Sequence, residues 1–411
     1  MDALIKSRQQ QKRTAFSFLL PDHPFYAQVV GFESIIHQSK ACHELMVRFE
    51  KGLGVSIHAE IKTRLSDDGR LLDRFYYSIQ YPDPKLPGGH YAWSLHYSAE
   101  NGTAKVYEFP DDPKLAHLAD FINAPENHAV KVLRYVPLRR MTFLKPRSNN
   151  RSPLIGKLKK RNRAQAGYLM LAEISAVCQD IRFAIPRAEG LDNDFGVFYQ
   201  TRVPGEEITN LLNSANYQNR MAEIGKLHAE LGKLPFAKEK RWDRDGIQKN
   251  LSNDLAEIVF YLPKTALFIA QVGQWLHKEQ RKTDSVAAIF CHGDFACSQI
   301  LRHSEGWSVV DFDLAGTGNP YQDMALFIVS LSHDVPLFQK QPGLIPAAAQ
   351  AYLSGYQQET GQAIDSKMLV WHLVCAEIYY LALILKKDRF TPLAYQQVQN
   401  RLSKLIPNLM K

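Results

Sequence analysis

The chain is 411 residues long, 45% hydrophobic and 22% charged, a globular composition well away from that of disordered proteins. Fifty Lys and Arg against 42 Asp and Glu give a formal charge of +8. The five cysteines (Cys42, Cys178, Cys291, Cys297 and Cys375) are sparse, odd in number and without a CxxC pair, which excludes a secreted disulfide scaffold and gives a structural zinc site no support.

Residues 1–14 read as a basic tail, polar where an export signal would be apolar. Residues 15–129 are expected to form a small α+β domain of unknown role. Its strands are signalled by HAEIKTR, RFYYSIQY and YAWSLHYS, separated by turns at Asp67-Asp68-Gly69, Pro87-Gly88-Gly89 and Glu100-Asn101-Gly102. Helical spacing of Leu115, Leu118 and Ile122 follows. Residues 130–204 read as a β-rich lobe: strands over 130–158, a helix over Arg163–Val177, then short strands in RFAIPRAEG and GVFYQTRV.

From 205 to 411 the character is helical, with helices expected over Asn219–Gly232, Leu255–Gln280, Tyr321–Ser332 and Ile345–Thr360, and an island of strand at 286–313. The apolar run Val370–Leu385 carries His372 and Glu377 and falls short of the ~20 residues a bilayer requires, so it reads as a buried helix of a soluble, cytoplasmic protein. A β-rich lobe followed by a helical one makes an α+β, two-lobed enzyme with a cleft between the lobes the expected architecture. No GxxxxGK[ST], HExxH or GxSxG pattern occurs.

The informative segment is CHGDFACSQILRHSEGWSVVDFDLAGTGNPYQDMA. An apolar strand ends at Phe290 and delivers His292-Gly293-Asp294 into a loop. A hairpin follows, Gln299–Arg302 and Trp307–Asp313 about a turn at Ser304-Glu305-Gly306, whose pairing brings Asp311 back toward Gln299 and Asp294. Converging oxygen donors of this kind suit phosphoryl transfer: one carboxylate accepts a hydroxyl proton while the others hold Mg²⁺ against phosphate oxygens. Asp313 reads as an auxiliary metal ligand or a turn cap, Gly316-Thr317-Gly318 as a turn, and Cys291 and Cys297 as buried inert thiols.

HGDFACSQIL followed by VVDFDLAGTGNPYQDMA resembles the aminoglycoside phosphotransferase and choline-kinase-like superfamily, of protein-kinase-like fold, over about residues 130–400. The resemblance implies Asp294 as catalytic base, Asp311 as Mg²⁺ ligand, Gln299 as second metal ligand and Asp323 as a buried brace of the catalytic loop, with His292 positioning that loop. Gln299 departs from the usual Asn, though maltokinase-like members also carry Gln there. IGKLHAELGKL resembles the helix that precedes the catalytic loop in this superfamily; Leu227 and His228 read equally well as ordinary helix packing. FYQTRVPGEEI resembles the lobe hinge, which would set backbone groups of Gln200, Thr201 and Arg202 against a nucleotide base. Lys157, in LIGKLKK, matches the phosphate-anchoring lysine, with Lys159 on its face and Glu173 as ion-pair partner or solvated acid. The glycine-rich loop of protein kinases is missing from Val136-Pro137-Leu138-Arg139-Arg140.

The resemblance thus implies a kinase that uses ATP (GTP is an alternative) and Mg²⁺ on a small hydroxylated molecule, or else a nucleotide-binding scaffold without turnover. Between Lys131 and Ala172 stand twelve Lys and Arg and no Asp or Glu, leaving the rest of the chain at −4. That basic excess attracts nucleotide phosphates or an anionic substrate, with PRSNNRSPL (146–154) as a loop able to close over either, or it is simply a solvated face. No recognition motif and no interleaved aromatics support a nucleic-acid partner.

Overall fold

The computed structural model describes residues 56–65, 71–82, 90–98, 103–108, 110, 112, 114–136, 139–147, 151–178, 182–236, 240–242, 244–262, 265–280, 286–386 and 392–406. The tail 1–14, residues 15–55 of the expected N-terminal domain and residues 148–150 of the 146–154 loop lie outside them. Two compact units are present: Met1–Gln165 with Leu191–Tyr199 and Leu383–Gln397, and Ala166–Gly190 with Gln200–Ala382 and Val398–Lys411.

The first unit begins with an antiparallel meander, β1 (Ser56–Leu65), β2 (Leu71–Pro82), β3 (His90–Ser98) and β4 (Thr103–Glu108), in that order and in the register Ile57↔Ile79↔Trp93. After helix α1 (Leu118–Asn123) comes a five-stranded sheet of order β5-β6-β7-β10-β9, from β5 (Lys131–Val136), β6 (Arg140–Lys145), β7 (Leu154–Leu158), β9 (Ala188–Asp192) and β10 (Val197–Thr201). Six residues cannot sustain an isolated helix. α1 is held because Leu115, Leu118, Phe121 and Ile122 share one core with Val132, Met141, Phe143, Leu158 and Val197, the Phe121 and Phe143 rings lying 4.8 Å apart. The segment 115–122, which the sequence reading assigned to the domain before residue 130, therefore packs on the sheet that follows it.

The chain then passes through helix α2 (Arg161–Val177), shared by the two units. In the second unit, β8 (Phe183–Ala184), β11 (Glu206–Glu207), β14 (Ile300–His303) and β15 (Gly306–Val309) form a sheet of order β11-β14-β15-β8. A three-stranded sheet, β12-β16-β13, joins β12 (Lys240–Trp242), β13 (Ile289–Cys291) and β16 (Gly316–Gly318). The helices are α3 (Ile208–Leu211), α4 (Tyr217–Gly232), α5 (Arg244–Tyr261), α6 (Ala266–Glu279), α7 (Pro320–Asp334), α8 (Pro336–Lys340), α9 (Ile345–Thr360), α10 (Ser366–Lys386) and α11 (Pro392–Leu405).

Two expectations are corrected here. The single helix expected over Leu255–Gln280 is two, α5 and α6; the sequence between them carries a proline, a residue without the amide donor that a helix interior needs. The apolar helix α10 has 21 residues and, over Ser366–Leu385, is apolar enough to cross a membrane by length and composition. It is a core helix all the same: 72% of that window is buried, and Glu377 within it is gripped by Arg401 of α11 (Nη2–Oε2 2.9 Å).

α4 and α9 approach so closely that a Cβ on Gly225 would lie 2.0 Å from the Tyr352 carbonyl oxygen, and one on Gly355 2.0 Å from that of Ala222. Glycine on both helices is what lets side chains of α9 reach across to His228 on α4.

Candidate active site

β13 carries the chain into His292-Gly293-Asp294. Its residues pair with β16 in the register Ile289↔Gly318, Phe290↔Thr317 and Cys291↔Gly316. The turn after β13 needs glycine: Gly293 has φ +79°, and a Cβ there would lie 2.3 Å from the Leu314 carbonyl oxygen. His292 is fully buried, with its Nε2 2.9 Å from the Val310 carbonyl. A carbonyl only accepts, so Nε2 carries the proton, and Nδ1 is left to accept the Asp294 N–H at 3.3 Å. One neutral imidazole thus ties the backbone of Asp294 to the residue preceding Asp311.

A carboxylate closes the loop from beneath. Asp323 lies in the first turn of α7, whose start is set by the Asn319 side chain accepting the Tyr321 N–H at 3.0 Å and by Pro320 at the first helical position. Its two oxygens accept the N–H groups of His292 (2.6 Å) and Gly293 (2.9 Å). Asp323 is entirely buried, and burial pushes its carboxyl up to about 7 against the opposing pull of those two bonds. Beside it, 3.9 Å from Oδ2, is Nε2 of His228. Burial takes that imidazole down to about 3, so it is neutral. Tyr352 Oη donates to its Nδ1 at 2.6 Å, leaving the Nε2 hydrogen facing Asp323, and Phe295 stacks on the ring at 4.7 Å.

The hairpin β14–β15 supplies the remaining acids. Its register is Ile300↔Val309, and beyond it the Val310 N–H donates to the Gln299 carbonyl at 3.0 Å, so Asp311 follows directly on the residue paired with Gln299. Asp311 has φ 67° and ψ 54°, the one non-glycine residue with positive φ among the described residues. Aspartate tolerates that left-handed conformation better than most side chains, and held strain of this kind gathers at functional positions. The Gln299 Nε2 donates to Ser298 Oγ at 3.4 Å, which orients the amide oxygen as the remaining donor atom for a ligand. Asp294, Gln299, Asp311 and Asp313 are all partly exposed.

Trp242 buttresses this arrangement and carries no motif of its own. Its Nε1 donates to the Leu314 carbonyl at 3.0 Å, and β12 pairs with β16 in parallel. Gly316-Thr317-Gly318, read from sequence as a turn, is therefore a strand. A Cβ on Gly318 would lie 2.5 Å from the Trp242 carbonyl oxygen, so glycine is there to admit a neighbouring strand.

Residues 116–363, more than half of the chain, match the phosphotransferase enzyme family. The chain belongs to that family. Its fold is similar to a thermostable mutant of an aminoglycoside phosphotransferase (12% identity, TM-score 0.50, covering 67% of this chain and 93% of the other). It is also similar to an aminoglycoside phosphotransferase from Streptomyces rimosus (16%, 0.46, 64% and 96%). A third is a choline/ethanolamine kinase family protein from Mesorhizobium loti (14%, 0.44, 70% and 91%). No curated protein matches the chain. The two-lobed kinase-like fold, with a β-sheet lobe before a helical one, is the fold of this phosphotransferase.

The other residues singled out in the sequence fall in separate places. Lys157 belongs to the first unit, on β7, only 7% exposed, with its Nζ 5.6 Å above the Phe198 ring, and Lys159 lies 5.4 Å from the same ring. Glu173 is on α2, in the part of that helix that belongs to the second unit. Gln200 and Thr201 end β10 and Arg202 follows it; the Thr201 N–H donates to the Arg187 carbonyl (2.9 Å) and its hydroxyl accepts the Arg187 N–H (2.8 Å). Cys291 and Cys297 are buried thiols pushed up by burial, which makes them poor nucleophiles. Among the described residues no three His, Cys, Asp or Glu side chains come close enough together to hold a metal ion by themselves. Sequence reasoning missed Trp242 and Tyr352 outright. Trp242 could have been sought only through Gly293 and Gly318, where its atoms occupy the place of a Cβ.

Proposed function

We propose that this phosphotransferase moves the γ-phosphate of ATP, or of GTP, to a hydroxyl of a small molecule such as a sugar, amino sugar or amino alcohol, in the cytoplasm. The observation that supports it is the His292–Val310 bond, which links the Asp294 loop to the Asp311 hairpin through a neutral imidazole.

In this reading Asp294 accepts the acceptor's proton and orients its oxygen. The Gln299 amide oxygen and the Asp311 carboxylate, with Asp313 as an auxiliary, are hard oxygen donors of the kind Mg²⁺ takes. One or two protein carboxylates suffice for that ion when phosphates and water complete its shell, so a site without a third acid fits it. When bound, the ion supplies charge neutralisation at the phosphates. Lys157 holds the α- and β-phosphates and Glu173 holds Lys157. Because Thr201 is engaged by Arg187, contacts to the base fall to backbone groups of Gln200 and Arg202. Residues 1–14 are kept as a proposed basic tail and 15–129 as a proposed domain of unknown role, with α1 packed on the sheet that follows.

The test is ATP consumption against a panel of hydroxylated acceptors. Asp294→Asn should lower turnover by about 10²–10⁴-fold, the usual contribution of a positioned base, while calorimetry shows undiminished binding of a non-hydrolysable ATP analogue. Wild-type turnover in that variant would remove Asp294 from the chemistry. Metal-independent analogue binding with no turnover would favour the scaffold instead.

A further inference from the structure

The five-stranded sheet of the first unit has two unlike faces. Met141, Phe143, Leu158 and Val197 share the core with α1, and the Phe143 ring fills the place that a Cβ on Gly156 would take. Side chains alternate along a strand, so Thr142, Lys157 and Phe198 take the other face. Lys159, one residue past the end of β7, keeps to that alternation. Its ammonium lies 5.4 Å from the centroid of the Phe198 ring, and that of Lys157 lies 5.6 Å from the same centroid. The strands β5, β6, β7 and β10 carry no Asp or Glu.

The backbone of Lys159 is gripped by the turn between β9 and β10. Its N–H donates to the Gly196 carbonyl at 2.9 Å. Gly196 has φ +64°, and a Cβ there would lie 2.6 Å from the Lys159 carbonyl oxygen, so glycine is what lets the turn approach. The stem is thus anchored at one end by the turn, while the π face of Phe198 attracts the cation at the other. A side chain held in this way loses little freedom when a ligand meets it.

The direction of β7 gives this second cation a place along a ligand. Lys157 pairs with Thr142 and Leu158 with Met141, so from 157 to 159 the chain runs toward the turn that joins β5 to β6. In protein kinases a glycine-rich loop covers the nucleotide phosphates. Here the sequence Val136-Pro137-Leu138-Arg139-Arg140 has no glycine, and its proline has no N–H to offer. Two residues of extended chain advance about 7 Å, a step on the scale of a triphosphate chain.

We propose that Lys159 is a second phosphate-binding residue of the nucleotide site, meeting the γ-phosphate of a nucleoside triphosphate where loop amides would otherwise do so. The inference rests on the nucleotide reading above, in which Lys157 meets the α- and β-phosphates. A lysine that served the fold alone, by its contact with Phe198, would be indifferent to the number of phosphates on the ligand.

The experiment is calorimetric titration of the full chain, in Mg²⁺ buffer, with AMP-PNP and with ADP. Lys159→Met keeps an unbranched apolar stem over the ring and removes the charge. AMP-PNP affinity should fall by about 10-fold or more, the effect of losing a charge-assisted contact, with ADP affinity unchanged and with AMP-PNP affinity recovered in Lys159→Arg. The wild-type chain gives a second readout that needs no variant: AMP-PNP should shield Lys159 from acetylation by an amine-reactive reagent, read by mass spectrometry, and ADP should shield it less. Undiminished AMP-PNP affinity in Lys159→Met, an equal loss for both nucleotides, or acetylation indifferent to AMP-PNP would each overturn the proposal while leaving the nucleotide reading standing. A wild-type chain that binds neither nucleotide would instead overturn that reading, and this inference with it.

Discussion

Asp323 offers a test in which stability and activity should part company. Asp323→Asn keeps the shape of the side chain but presents an NH₂ group to one of the two N–H donors, at His292 or Gly293, that the carboxylate now satisfies. One buried donor loses its acceptor, a penalty of about 1–3 kcal/mol at any pH. Against this stands the cost of an ionised carboxylate in a fully buried site. The folded group titrates at about 7 and the unfolded one near 3.8, so the folded state holds the proton more tightly. Stability from this group is therefore greatest at low pH and is lost as pH rises from 3.8 to 7.

Worked through, wild type should lose about 3 kcal/mol relative to the non-titrating variant between pH 5 and pH 8.5. The variant should be the less stable protein at pH 5 and equal or better at pH 8.5, when both are unfolded in urea at each pH. Turnover should fall at both, because the loop has lost one of its two clamps. A destabilisation that is constant with pH, or larger at pH 8.5, would mean that Asp323 is ionised throughout and would refute the reasoning from burial.

Two further substitutions probe what stands behind the loop. Gly318→Ala puts a Cβ 2.4 Å from that of Trp242 and should cost about 1–3 kcal/mol as β16 is pushed off β12, measured by urea unfolding; a neutral result would refute the close approach. Tyr352→Phe removes the donor at His228 Nδ1 and should destabilise by about 1–3 kcal/mol, and a loss well below that range would show that the hydroxyl bond is not made.

What was legible in the sequence was local. His292, Asp294, Gln299, Asp311 and Asp323 all lie within one stretch whose strand, turn and hairpin signals fix their order, and the hairpin register alone brings Asp311 beside Gln299. What was not legible came from pairs far apart in the chain. Tyr352 and His228 are 124 residues apart and Trp242 and Leu314 are 72 apart, and nothing in either neighbourhood announces the other. The glycines at 316 and 318 invite a turn because a turn is the commoner local use; pairing with β13 on one side and β12 on the other makes them a strand. The packing of α1 was hidden for the same reason, since the partners of its apolar face lie beyond residue 130.

The basic stretch 131–172 shows how composition underdetermines function. As a sequence it is one block of twelve cations, equally consistent with nucleotide attraction or a solvated face. In the fold the block divides by strand alternation and by distance. Lys157 is drawn into the interior above Phe198, and Lys145 is held by Asn127 at 3.2 Å with its ammonium over the Tyr199 ring. Lys159 has its ammonium over the same Phe198 ring, while Lys160 is exposed at the turn into α2 and Arg161 donates to the Asp194 carbonyl at 2.9 Å.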